Sequence, residues 1–136
     1  MTEVLKNLKT KRAWVVHGSD GTDEISITGE TYVVELDEGN INEFKINPKD
    51  AGLKTCDFSE VLGGSPKFNA QKIQHLVNGE KNGFFQSVVF NSAAALTISE
   101  KVENLQDGVR LASDALLSGK TRELVENLKM SKTSLS

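Results

Sequence analysis

Apolar and polar positions alternate in short strand-like runs over the first third of the chain and at helical spacing over the rest. Ala13-Trp14-Val15-Val16 is an unbroken apolar run flanked by polar residues, which predicts a buried strand over Arg12–His17. Thr31–Leu36 and Ile41–Ile46 are rich in β-branched and aromatic residues. They flank Asp37-Glu38-Gly39-Asn40, a linker with hairpin-turn chemistry. In the second of these strands Asn42, Phe44 and Ile46 share one face, and Glu43 and Lys45 the other. Ile25–Thr28 reads as a further short strand ending at Gly29.

The helical signals begin with Thr2 to Leu8, where Thr2 is a candidate N-cap and Val4, Leu5 and Leu8 share a face. Asp57-Phe58-Ser59-Glu60 reads as a capping box opening a short helix that Gly63-Gly64 stops. Ser65-Pro66 opens another, with Ala70, Ile73 and Val77 as its buried side and Asn78-Gly79 as its end. Residues 84–100 have strand-like residue types at first, but the following alanine-rich segment has no breaker. The whole is therefore read as one helix, apolar almost all round and buried. Helices over 105–118 and 121–130 follow, striped by Leu105, Val109, Ala112 and Leu116 and by Leu124, Val125 and Leu128. The tail is expected to fray from Ser131.

At 136 residues, 38% hydrophobic and 26% charged, the chain has the makings of one soluble domain. A net charge of −3 disfavours a nucleic-acid surface, and no apolar stretch approaches a membrane span. A lone cysteine, Cys56, has no internal partner for a disulfide, which fits a cytoplasmic setting.

The candidate chemistry lies in His17-Gly18-Ser19-Asp20-Gly21-Thr22-Asp23-Glu24, a glycine-rich acidic loop at the end of the first strand. Asp23 and Glu24 are adjacent, so in extended chain they point to opposite sides and serve different partners, such as two magnesium ions or one ion and a lysine. Magnesium takes oxygen ligands and often only one or two carboxylates, with phosphates and water completing its shell. A solvated acidic turn is the alternative that these residues alone leave open. Gly18 and Gly21 supply loop conformations, and His17 either contacts the loop or satisfies a backbone carbonyl. Gly119-Lys120-Thr121 is no phosphate loop, because Asp114 stands where that motif needs glycine and a helix precedes it.

The phrase at 15–26, Val-Val-His-Gly-Ser-Asp-Gly-Thr-Asp-Glu-Ile-Ser, resembles the second acidic motif of the anthranilate phosphoribosyltransferase family. The likeness continues through Thr28-Gly29-Glu30-Thr31, Asn47-Pro48-Lys49-Asp50-Ala51-Gly52-Leu53, Gly63-Gly64-Ser65-Pro66 with Asn69-Ala70, and Val89-Phe90-Asn91-Ser92-Ala93-Ala94-Ala95-Leu96, in the family's order. The resemblance implies an α/β fold, the C-terminal part of the phosphoribosyltransferase/nucleoside phosphorylase-type domain, forming a single incomplete domain over 1–136. It implies that Asp23 and Glu24 hold Mg2+, that phosphoribosyl diphosphate and anthranilate are the substrates of the complete enzyme, and that the protein is a homodimer. No protein nucleophile is expected, since the reaction is attack of the anthranilate amine on the sugar carbon. Asn91 is a candidate ligand contact, although packing is the stronger role for it and the small residues after it.

The family's Gly-Thr-Gly-Gly-Asp diphosphate loop and its N-terminal helical domain have no counterpart in the sequence, so the chain is expected to be inactive alone. A non-catalytic dimerising or binding module of the same fold is the alternative, motivated by apolar surface on the opening helix and on 84–100. Pyrimidine nucleoside phosphorylases fit the Asp-Glu phrase poorly, and nucleic-acid-binding relatives are disfavoured by the charge.

Overall fold

The computed structural model describes the backbone of residues 1–133 and the side chains of residues 1–130. Three antiparallel strands, β1 (Arg12–Gly18), β2 (Thr31–Asp37) and β3 (Asn40–Ile46), form a sheet in sequence order. The β2–β3 hairpin turns at Glu38 and Gly39, both at positive φ, as its tight linker requires. Helix α1 (Thr2–Asn7) precedes the sheet; α2 (Pro66–Val77), α3 (Gly83–Ile98), α4 (Leu105–Leu117) and α5 (Lys120–Thr133) follow it.

Pairing puts Trp14, Val16, Val33, Phe44 and Ile46 on one sheet face, as the alternation predicted. That face packs on Phe90 and Ala94 of α3, together with Ile25 and Ile27. A second cluster joins α3 to the helices around it through Leu76, Phe85, Val89, Ala112 and Leu116. Helix α3 is thus the shared wall of both clusters, which explains its apolar residues on nearly every side. The small residues after Asn91 let α4 come close: a Cβ built on Gly108 would lie 2.8 Å from both Cα and Cβ of Ala93.

Several expectations need correction. Ile25–Thr28 is an irregular segment, not a strand. It is a plug: Ile25, Ser26 and Ile27 are all buried, and in place of a ladder the Ile25 and Ser26 N–H groups donate to the side chains of Asn91 and Thr31. Asp57–Glu60 forms a 3₁₀ turn over Phe58–Glu60 without a side-chain cap. Glu60 instead accepts from the Gly83 N–H at 2.9 Å and caps α3. In α2 the buried residues are Leu76 and Val77, while Ala70 and Ile73 are exposed, because the first turns of the helix project past the body of the protein. Val4 of α1, Leu8 just after it and Leu124 of α5 are also exposed. The α5 backbone is helical through Thr133, and the final residues of the expected tail lie outside the described residues. An unexpected 3₁₀ turn, Pro48–Ala51, has a capping box between Asn47 and Asp50. Among the described residues, no helix is long and apolar enough to cross a membrane.

Candidate functional site: an acidic loop organised by Asp20

Residues 18–31 leave β1 and return to β2 as a compact loop. Its neck is closed by Ser19 N–H donating to the Glu30 carbonyl at 2.8 Å and by Gly18 N–H donating to the Thr22 carbonyl at 3.0 Å. Gly21 lies at φ 87°, where a side chain is strained. Gly18 is needed for a different reason than its expected backbone freedom. A Cβ there would meet Asp20 Oδ1 at 2.5 Å and Thr22 Oγ1 at 2.7 Å.

The residue that organises the loop is Asp20, which the sequence reading passed over. Its Oδ1 accepts from the Thr22 N–H at 3.1 Å and the Thr22 hydroxyl at 2.7 Å. Its Oδ2 accepts from Ser26 at 2.6 Å and Thr28 at 2.7 Å. Partial burial works against the charge, but the hydrogen bonds from Ser26, Thr28 and Thr22 outweigh it and hold the carboxyl well below the usual carboxylate range. Asp20 therefore stays ionised, with its lone pairs spent on the loop. Asp-Gly-Thr followed by two spaced hydroxyl residues was the available signal, since an Asp accepting from the backbone two residues on is common turn chemistry.

With Asp20 turned inward, Asp23 and Glu24 remain exposed at the loop's outer edge, and neither makes a hydrogen bond or ion pair to a described residue. Ile25, the next residue, is pinned from behind. Asn91 Oδ1 accepts from the Ile25 N–H at 3.0 Å, and Asn91 Nδ2 donates to the Ile25 carbonyl at 3.0 Å and to the Ser87 carbonyl at 3.1 Å. Both amide hydrogens of Asn91 are thereby used in tying α3 to the loop. Glu24 lines a groove of about 260 Å³ with Asp20, Thr22, Phe58, Gly63, Phe84 and Ser87, and Asp23 lies outside its wall. Three separate phrases of the sequence thus meet at this groove: the acidic loop, the Gly63 segment and the helix that carries Asn91.

His17 is not brought to the loop interior. It is exposed and, by strand alternation, belongs to the face opposite Val16 and Gly18. Cys56 sits beside Gly83; burial and the nearby Glu60 and Asp57 push its thiol up, which makes it a poor nucleophile. A larger cavity of about 650 Å³ opens at the far end of the sheet, beside Arg12, Trp14 and Glu103, and holds none of the loop residues. The oxygen-only, solvent-facing pair of Asp23 and Glu24 suits a hard cation that keeps most of its shell for water and phosphate. Among the described residues no group of three or more His, Cys, Asp or Glu side chains is arranged to enclose a metal ion, so this pair does not suit an ion held by protein ligands alone.

Comparison with known proteins agrees with this architecture. The chain is 41% identical over 126 residues to the anthranilate phosphoribosyltransferase of Methanobrevibacter smithii, covering 93% of this chain and 38% of that enzyme. It is 42% identical over 126 residues to the enzyme of that name from Parvibaculum lavamentivorans, covering 93% and 37%. In structure it is similar to the anthranilate phosphoribosyltransferase of Thermus thermophilus, with a TM-score of 0.82 and 34% identity over 93% of this chain and 37% of that one. A Saccharomyces cerevisiae anthranilate phosphoribosyltransferase in complex with PRPP and Mg superposes with a TM-score of 0.79 and 25% identity, over 89% and 35%. The chain thus spans well under half the length of these relatives. Residues 1–122 match the glycosyl transferase family a/b domain, and the chain belongs to that family.

Proposed function

We propose that this chain contributes the metal-binding part of an anthranilate phosphoribosyltransferase, in which Asp23 and Glu24 hold the magnesium that accompanies phosphoribosyl diphosphate. The observation that carries this reading is the division of labour in the loop. Asp20 is consumed by Ser26, Thr28 and Thr22, whereas the neighbouring pair is left exposed and, among the described residues, unpartnered. Asp23 and Glu24 would hold the ion where it would offset the negative charge that builds on the departing diphosphate. This chain's residues position and hold: Asp20 fixes the loop's curvature, Asn91 fixes its height over α3, and Gly18 admits the tight neck. The anthranilate amine is the nucleophile, so no activated side chain is required. A biosynthetic role of this kind belongs in the cytoplasm.

Spanning little more than a third of its relatives' length, the chain does not transfer the phosphoribosyl group alone, because that reaction depends on positioning both substrates. Anthranilate fluorescence, followed with phosphoribosyl diphosphate and magnesium, tests this. The isolated chain should consume no anthranilate, and the chain mixed with the rest of a relative should consume it. Silence in the mixture would reject the assignment, and turnover by the chain alone would reject the division of the site. A homodimeric module is a second reading, favoured by the exposed Val4 of α1, Leu8 just after it, and Leu111 and Leu117 of α4. The apolar residues of 84–100 no longer support it, since the two core clusters absorb them. A mass in sedimentation that stays monomeric with rising concentration would exclude it.

A further inference from the structure

Two Asn-Gly pairs, Asn78-Gly79 and Asn82-Gly83, lie four residues apart in the connection between α2 and α3. In such a pair the main-chain nitrogen can attack the preceding side-chain amide, because glycine leaves that nitrogen uncrowded. The glycine nitrogen bonds to the asparagine Cγ, ammonia leaves, and a cyclic imide remains. Water then opens the imide to an aspartyl or isoaspartyl carboxylate. The reaction needs a carboxamide free to turn, a nitrogen free to lose its proton, and room for the ring to close.

At Asn82 all three are blocked. Its Oδ1 accepts from the Phe85 N–H at 3.0 Å as the cap of α3, and its Nδ2 donates toward Glu80 Oε1 at 3.5 Å. The nitrogen that would attack, Gly83 N–H, donates to Glu60 Oε2 at 2.9 Å, and a carboxylate acceptor opposes loss of that proton. Gly83 is also buried, with Cys56 Sγ 2.6 Å and Glu60 2.8 Å from where a Cβ would stand.

Asn78 is the open counterpart. It is exposed, and its side chain makes no hydrogen bond to a described residue. Gly79, at φ 81°, ends α2 in the left-handed conformation, and its N–H donates to the Leu76 carbonyl at 2.9 Å. A bond in the last turn of a helix opens by local fraying and does not wait for global unfolding. We infer that Asn78 is a site of spontaneous deamidation, and that Glu60, in capping α3, shields Asn82 from the same reaction. The product carries a negative charge at the C-terminal end of α2 beside Glu80, where the helix dipole disfavours it. Its isoaspartyl form also lengthens the main chain by one methylene. The turn it lengthens is held by Asn78, Gly79 and Glu80 N–H groups donating to the Gln74, Leu76 and His75 carbonyls. Deamidation therefore loosens the end of α2, directly after the buried Leu76 and Val77.

Peptide mapping by mass spectrometry tests this, with the full chain held at mildly alkaline pH in its native state and, in parallel, unfolded in urea. In the native chain Asn78 should convert to the acid at least ~10-fold faster than Asn82, whereas in urea the two should convert at similar rates. Equal native rates, faster conversion at Asn82, or conversion of Asn78 only in urea would overturn the inference. Glu60→Ala frees the Gly83 N–H and should raise the Asn82 rate toward its value in urea. An Asn82 rate unmoved in that variant would overturn the shielding, and the comparison within the native chain holds whether or not the variant folds. Hydrogen exchange of the isoaspartyl product should be faster than that of the fresh chain at the amides of 78–80, and unchanged exchange there would overturn the loosening of α2.

Discussion

Asp20 shows how one residue's hydrogen bonds decide what its neighbours are free to do. Because its carboxyl is held below the usual range in the folded state, it contributes stability above the unfolded value of about 4. That contribution is lost as pH falls below about 4 toward the depressed folded value. Urea denaturation at stepped pH should show this slope in the native sequence, and Asp20→Asn should flatten it. An unchanged slope would mean that another carboxylate governs acid stability. Asn91→Ala leaves the buried Ile25 N–H and C=O without partners and should cost about 1–3 kcal/mol in denaturant unfolding. Asp23 and Glu24 stand out in the sequence by residue type and by resemblance to a motif, and the structure leaves both exposed. For Asp20 the sequence carries only the turn signal of Asp-Gly-Thr, and its convergence with Ser26 and Thr28 is formed in space.

At the scale of elements, the α3–α4 contact depends on Gly108. Alanine gains about 1 kcal/mol of intrinsic helix preference over glycine. Here its Cβ would lie 2.8–2.9 Å from the Ala93 backbone, which cannot swing aside as a side-chain tip can. Overpacking of this kind costs about 1–3 kcal/mol, so Gly108→Ala should lower the unfolding midpoint despite the better helix former. A raised midpoint would show that the helices separate freely. The hairpin and α4 were readable because alternation and the Leu105–Val109–Ala112–Leu116 stripe meet partners inside this chain. The buried side of α2 was misplaced because Ala70 and Ile73 meet none there. Ile25 and Ile27 imitated a strand because isoleucines two apart have a strand's period, although the intervening Ser26 is buried as well.

For the whole molecule, two regions carry surplus negative charge: the acidic loop beyond β1 and the cavity at the opposite end of the sheet. In the cavity Asp37 and Glu100 are paired to Arg12, whereas Asp23 and Glu24 of the loop carry no protein partner among the described residues, and the divalent ion is assigned to the loop. Nuclear magnetic resonance of the chain with phosphoribosyl diphosphate and trace Mn2+, a paramagnetic substitute for Mg2+, compares the two directly. The account predicts selective broadening of the amides at 21–25, lost in the Asp23→Asn, Glu24→Gln double variant while the remaining spectrum is unchanged. Broadening centred instead on Glu35, Asp37 and Glu103, or broadening at the loop that survives the double variant, would contradict it.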